Sequence, residues 1–212
     1  MTKPAAFDRA MGELPLVAIL RSIEPKDAVA IGEALVGEGF RLIEVPLNSP
    51  EPLESIRRLA KILAGRAVVG AGTVLKTGDV DGVADAGGTL IVMPHTDVEV
   101  ISHAKARGLV AMPGFATPSE AFAGLRAGAV ALKLFPAEAN PPAVLKAMKA
   151  VLPKSVAVLP VGGIVPESLK AYVEAGAGGF GLGSALYKPG ASAAEVAARA
   201  KAFVAAWRAI RG

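Results

Sequence analysis

Residues 131–136 read Ala131-Leu132-Lys133-Leu134-Phe135-Pro136, and residues 42–46 read Leu42-Ile43-Glu44-Val45-Pro46. Each is a short apolar run with one charge in its middle. Taking a charge out of water is costly unless the charge has a partner or a task, so Lys133 and Glu44 stand out. Side chains alternate along a strand. With Leu132 and Leu134 turned toward covering helices, Lys133 points the other way. The same parity turns Ile43 and Val45 outward and Glu44 inward.

Runs of this kind begin near Leu16, Leu42, Ala67, Leu90, Leu109, Ala131, Val156 and Gly179, 19 to 26 residues apart. Most are apolar without a break, as in a parallel sheet buried on both faces. Helix-period segments lie between them. Leu53, Ile56, Leu59 and Leu63 form one stripe, and Val196, Ala200, Phe203, Trp207 and Ile210 another. Thr117-Pro118-Ser119-Glu120 reads as a capping box with proline at the first helical position, and Ser49-Pro50 as a cap followed by proline. Eight β-then-α units predict one α/β domain over residues 1–212. The expected architecture is a (β/α)8 TIM barrel with a short N-terminal helical segment, somewhat below the ~250 residues usual for that fold. The rival is an open, doubly wound nucleotide-binding sheet. Its glycine fingerprint is incomplete: Gly70 and Gly72 are followed by Leu75 at the third position, and the glycines 179–183 by Ser184 or Leu186.

Further polar groups stand at strand ends. Arg21 closes the first run and Thr73 the third; a guanidinium and a hydroxyl there suit a substrate carboxylate. Gly162-Gly163 ends the seventh run and Gly183-Ser184 the eighth, where this barrel commonly holds a phosphate. Each has a plainer reading: Arg21 on the surface, Thr73 as a helix cap, the glycines as turns, and Lys133 with Glu44 as a buried ion pair. In an open sheet, eight strands at ~4.8 Å per step span ~34 Å, too far for one small ligand. A closed barrel brings every strand end to one mouth. His95, after the fourth run, is within reach of a ligand or serves as a loop or cap residue, and His103 falls on a helix surface. A lysine of ordinary pKa is neutral in about one molecule in 2,500 at pH 7. Burial raises that fraction and a nearby carboxylate lowers it.

Composition narrows the classes. The chain has 23 Lys and Arg against 19 Asp and Glu, net charge +4, and no cysteine. Disulfides, thiolate metal sites and cysteine nucleophiles are excluded. The basic residues are scattered and aromatics are 5%, which argues against a nucleic-acid partner and for a small anionic substrate. The longest uncharged stretch, 175–187, is rich in glycine and short of a membrane span, and residues 1–21 do not pattern as a signal peptide. The expected location is the cytoplasm, with no membrane partner.

Six motifs in order, Ala18-Ile19-Leu20-Arg21, Ile43-Glu44-Val45-Pro46-Leu47-Asn48-Ser49-Pro50, Gly70-Ala71-Gly72-Thr73-Val74, Leu132-Lys133-Leu134-Phe135-Pro136, Val161-Gly162-Gly163 and Gly181-Leu182-Gly183-Ser184, resemble the 2-keto-3-deoxy-6-phosphogluconate and -galactonate aldolase family. The resemblance covers nearly the whole chain. It implies a homotrimeric class I aldolase with no metal and no other cofactor, acting on a phosphorylated sugar acid. Lys133 would form the Schiff base and Glu44 would serve as general acid/base. Arg21 and Thr73 would hold the pyruvyl carboxylate; Gly162, Gly163, Gly183 and Ser184 would hold the phosphate. Pro46, Asn48 and Val161 match the galactonate branch, whereas His95 stands where that branch more often has Asn. Val161 and His95 are therefore the expected specificity positions. The gluconate epimer or dual specificity, a non-catalytic phosphosugar-binding barrel, and a divalent-metal aldolase using Glu44 and His95 are the alternatives.

Overall fold

The apolar runs form strands in a computed structural model that describes residues 3–211. They are β1 (Leu16–Ile19), β2 (Leu42–Pro46), β3 (Val68–Gly72), β4 (Leu90–Val92), β5 (Val110–Met112), β6 (Gly114–Phe115), β7 (Ala131–Leu134), β8 (Ala157–Pro160) and β9 (Phe180–Leu182). The fifth run is divided by Pro113, which has no N–H to give a ladder, so it supplies both β5 and β6. The principal helices are α1 (Lys3–Glu13), α2 (Pro25–Gly37), α3 (Pro52–Ile62), α4 (Thr77–Asp85), α5 (Val98–Ala106), α6 (Pro118–Ala127), α7 (Pro142–Val151), α8 (Leu169–Glu174) and α9 (Ala193–Arg211).

The strands form a six-stranded sheet in the order β5-β4-β3-β2-β1-β9 and a three-stranded sheet β6-β7-β8. All the pairs are parallel, as expected of strands linked by helices. Hydrogen bonds also run between the sheets. Val130 N donates to Ala111 O at 3.2 Å and Lys133 N to Pro113 O at 2.9 Å; at the other side Gly178 N donates to Val158 O at 2.9 Å. Val161 and Gly181 add an isolated parallel bridge there.

Alternation sorts the strand residues into two cores. Ala18, Ile43, Val45, Val69, Ile91, Leu132 and Leu134 pack with helix residues such as Leu35, Ile56 and Phe203. Val17, Leu42, Val68, Leu90, Val110, Met112, Ala131 and Leu159 form the second core with Phe7 and Ala10 of α1. The parity assigned to the two charged strands is therefore correct: their neighbours Leu42 and Ala131 belong to the inner core, and Ile43 and Leu132 to the outer. α1 closes one end of that inner core.

The helix signals divide. Thr117 caps α6 through a reciprocal box in which Thr117 N donates to Glu120 Oε2 at 2.8 Å. The stripe on α9 is buried at Val196, Ala200, Phe203 and Trp207, and Trp207 meets Phe180 edge-on at 6.2 Å. Ser49 is not a cap. Helix α3 starts after Glu51, which adopts a left-handed conformation (φ 38°), with proline in its first turn. The Ser49 hydroxyl instead accepts a hydrogen bond from Ser22 N at 2.9 Å.

Phe7 fills the closed end of the inner core and is buried. Phe7→Ala should lower the unfolding free energy by about 3 kcal/mol in a urea titration while the far-ultraviolet spectrum of the folded state is retained. A loss below about 1 kcal/mol would mean that α1 contributes little to that core.

Candidate active site

Glu44 extends from the middle of β2 and is 2% exposed. Its neighbour in β3 is Gly70, and Gly72 lies beyond. A Cβ at Gly72 would collide with the Glu44 carboxylate, so the bare glycine edge of β3 makes the space this side chain occupies. Glu44 Oε2 has no hydrogen-bond partner. Lys133, 5% exposed, rises from β7 opposite Gly114 and Leu159, its ammonium 4.7 Å from the Phe135 ring centre. The two charges influence each other, yet no direct salt bridge joins them. The buried-ion-pair reading therefore lacks its contact.

Burial dominates the electrostatics. It pushes the Glu44 carboxyl up to about 7, against the opposing pull of the Lys133 and Arg21 charges. Burial also holds the Lys133 amine below the ordinary lysine range; the Glu44 charge resists this and the Arg21 charge assists it. Both groups are driven toward neutrality, the condition a nucleophilic amine and a proton carrier need near neutral pH.

A cavity of about 340 Å³ opens nearby, within the usual range for small-molecule sites. It brings together Arg21, Val161, Gly162, Gly163, Gly183 and Ser184, along with Phe135, the residue whose ring faces the Lys133 ammonium. Glu44, Lys133, Thr73 and His95 are not in its lining; Phe135 is what connects the cavity to the Lys133 ammonium. β1 ends at Ile19, so Arg21 lies in the following turn, not on the strand; its Nη1 donates to Asn48 Oδ1 at 3.4 Å. Thr73 directly follows β3 with φ 56°, a strained conformation for a β-branched residue. It caps nothing, since Lys76 precedes α4. His95 is exposed in the segment after β4. His103 sits half-buried on α5, its Nε2 2.9 Å from Asp81 Oδ1. Among the described residues no three His, Asp or Glu side chains gather as a metal site.

Several lining residues carry no sequence signal, among them the polar Ser22, Glu138, Tyr187 and Lys188. Glu138 lies on the turn after β7, and its carboxyl group fills the space that a Cβ at Gly162 or Gly163 would enter. Both glycines have positive φ, 116° and 62°. The pair is thus required twice, by backbone conformation and by a side chain packed against it. Only the β7–β8 pairing brings Glu138 there, and no periodicity announces it.

Comparison with known proteins gives a consistent set of relatives. The family model described as "Aldolase: KDPG and KHG aldolase" matches residues 7–210. The 2-dehydro-3-deoxy-6-phosphogalactonate aldolase of Escherichia coli is 48% identical over 196 residues, covering 92% of this chain and 96% of its own. A solved native KDPGal structure superposes with a TM-score of 0.92 at 47% identity, over 94% of this chain and 97% of that one. A KDPG aldolase from Legionella pneumophila, solved with pyruvate captured as a covalent carbinolamine, superposes with a TM-score of 0.77 at 27% identity, over 95% and 96%.

The unpartnered Glu44 carboxylate has a measurable consequence. A carboxyl whose folded pKa is raised favours the folded state at low pH, and loses that contribution as pH rises from its unfolded value through about 7. Glu44→Gln removes this dependence. Relative to the wild type, its unfolding free energy should rise by roughly 3 kcal/mol between pH 4 and pH 8, measured by urea denaturation. A Gln variant that is less stable at pH 8 would point to a structural ion pair instead.

Proposed function

The chain belongs to the KDPG and KHG aldolase family, and on that premise we propose that it is a metal-independent class I aldolase cleaving 2-dehydro-3-deoxy-6-phosphogalactonate to pyruvate and D-glyceraldehyde 3-phosphate. The observation that carries this reading is the buried lysine and carboxyl group, unbridged and both shifted toward neutrality, beside a cavity with an arginine and two glycine-containing turns. A non-catalytic binding barrel would keep the cavity but have no use for a desolvated lysine. A metal aldolase would need Glu44 and His95 with a further ligand, and among the described residues no three His, Asp or Glu side chains gather.

In the proposed mechanism the neutral Lys133 amine adds to the C2 ketone. The resulting carbinolamine loses water to form an iminium, with Glu44 supplying the proton to the departing hydroxyl. The C4 hydroxyl then gives its proton to the Glu44 carboxylate, directly or through water. As the C3–C4 bond breaks, its electron pair moves toward the iminium nitrogen and leaves an enamine, while C4 becomes the aldehyde of the departing phosphotriose. Protonation at C3 and hydrolysis release pyruvate and regenerate the amine. Arg21 and Thr73 hold the carboxylate, while Gly162, Gly163, Gly183 and Ser184 hold the phosphate. Those contacts anchor the substrate at a distance from the reacting bond. The carbinolamine seen in the Legionella relative supports the first step.

The same proposal includes a single domain over 1–212 whose strands close into an eight-membered (β/α)8 ring, with β5 and β6 as one broken strand. The hydrogen bonds between the two sheets support it. It also includes a homotrimer, which light scattering of the purified protein checks, and a cytoplasmic location; among the described residues no helix is long and apolar enough to cross a membrane.

Borohydride reduction in the presence of pyruvate should add one pyruvyl-derived mass to the peptide containing Lys133, in EDTA as well as without it; an adduct elsewhere, or none, would remove the Schiff-base assignment. Glu44→Gln should lower turnover by ~10² or more with the fold retained.

Substrate choice is a separate test. Val161 lines the cavity with methyl groups only, so the galactonate epimer should be cleaved with equal or better kcat/KM than the gluconate epimer. Val161→Thr should shift the ratio about tenfold toward gluconate, because a buried hydroxyl then finds a partner. A wild-type preference for gluconate would show that another residue sets the choice.

A further inference from the structure

Ser49 is 8% exposed, yet it belongs to a turn and caps no helix. Its hydroxyl accepts the Ser22 N–H at 2.9 Å, a bond across 27 residues that ties the turn after β1 to the turn after β2. Ser49 is itself fixed by its own N–H, which donates to Pro46 O at 2.9 Å. Ser22 has φ 61°, a left-handed conformation that is unfavourable for a residue with a Cβ, so surrounding contacts have to maintain it. On the other side of Arg21, Leu20 N donates to Glu44 O at 2.9 Å. Arg21 is therefore the single residue between two backbone anchors, and both anchors lie on the segment that carries Glu44. Its guanidinium adds a weak contact to Asn48 Oδ1, and its charge is felt by both Glu44 and Lys133.

We propose that Ser49 is a positioning residue for carboxylate recognition: by holding Ser22 in its left-handed conformation it fixes the turn that presents Arg21 to the cavity. The proposal rests on the reading of Arg21 as the group that binds the pyruvyl carboxylate. Without the hydroxyl, the Ser22 N–H loses its acceptor and the strained turn is free to relax, carrying the guanidinium away from the cavity it lines.

The experiment is the concentration of pyruvate that half-saturates borohydride trapping, measured beside inhibition of cleavage by inorganic phosphate. Ser49→Ala should raise the pyruvate concentration about tenfold, the effect of about one hydrogen bond to a charged group. Phosphate inhibition and the extent of trapping at saturating pyruvate should hold within about twofold. Ser49→Thr, which keeps the hydroxyl, should restore pyruvate affinity. Where Ser49→Ala fails to fold, Ser49→Cys serves, its thiol being a poor acceptor. In an Arg21→Ala background the same Ser49 change should have almost no further effect on pyruvate. Equal losses for pyruvate and phosphate, full additivity with Arg21→Ala, or no change at all would overturn the proposal. An Arg21→Ala variant that binds pyruvate normally would overturn the carboxylate reading itself, and failure of wild-type trapping would overturn the Schiff-base reading beneath both.

Discussion

The desolvation of two charged groups by one set of strands is the constraint on which the rest depends. An interior of Val17, Leu42, Val68, Leu90 and Val110 holds neither an ammonium nor a carboxylate comfortably. Such groups persist inside a stable domain only if the remainder of the structure absorbs their cost. The two apolar cores do that, one between strands and helices and one inside. Glycine makes the local adjustment. Gly72 vacates the space beside Glu44, and Gly114 stands opposite Lys133 in register. Side-chain alternation does the rest, because a one-residue slip of either strand would turn its charge toward the helices.

That constraint is also why the central pair was legible. A charge inside an apolar run is visible in a single sequence, and alternation gives its direction. The repeating strand–helix pattern was legible for the same reason: each element has its own period of burial. Groups whose positions depend on loop geometry were read less well. Arg21 and Thr73 were expected at strand ends; one lies in a turn beyond its strand, and the other sits just past its strand in a strained conformation. The fifth run counts as one unit in the sequence, although Pro113 divides it into two strands. Ser49 resembled a helix cap because a serine before a proline usually is one; its actual partner is a backbone amide from another turn. Glu138 gave no signal, since only tertiary pairing brings its carboxyl to the glycine turn. Periodicity reports which face is buried, and it is silent about which turns meet.

The division of labour within the candidate site follows the same physics. Its rigid part, Glu44 and Lys133, lies on strands. Its outer part, from Arg21 to the glycines and Ser184, lies on turns around the cavity. Reacting groups gain from fixed geometry. Groups that grip the two anionic ends of a ligand gain from backbone that approaches closely. The strain at Ser22 and Thr73 falls in the residues that follow strands β1 and β3.

The helix α1 has a consequence for the order of events. Phe7 and Ala10 are seated in the inner core, so a ring closed as proposed would be a well with a floor. A ligand entering such a well by the cavity would also leave by it. For a ligand attached to Lys133 at its inner end, the outer fragment lies between the attached portion and the exit. Departure would then be sequential: the outer fragment first, water following it inward, and the inner fragment last. In that arrangement the closed end would also shield the attached group from behind, giving the helix that fills the core a second task while the path outward is occupied.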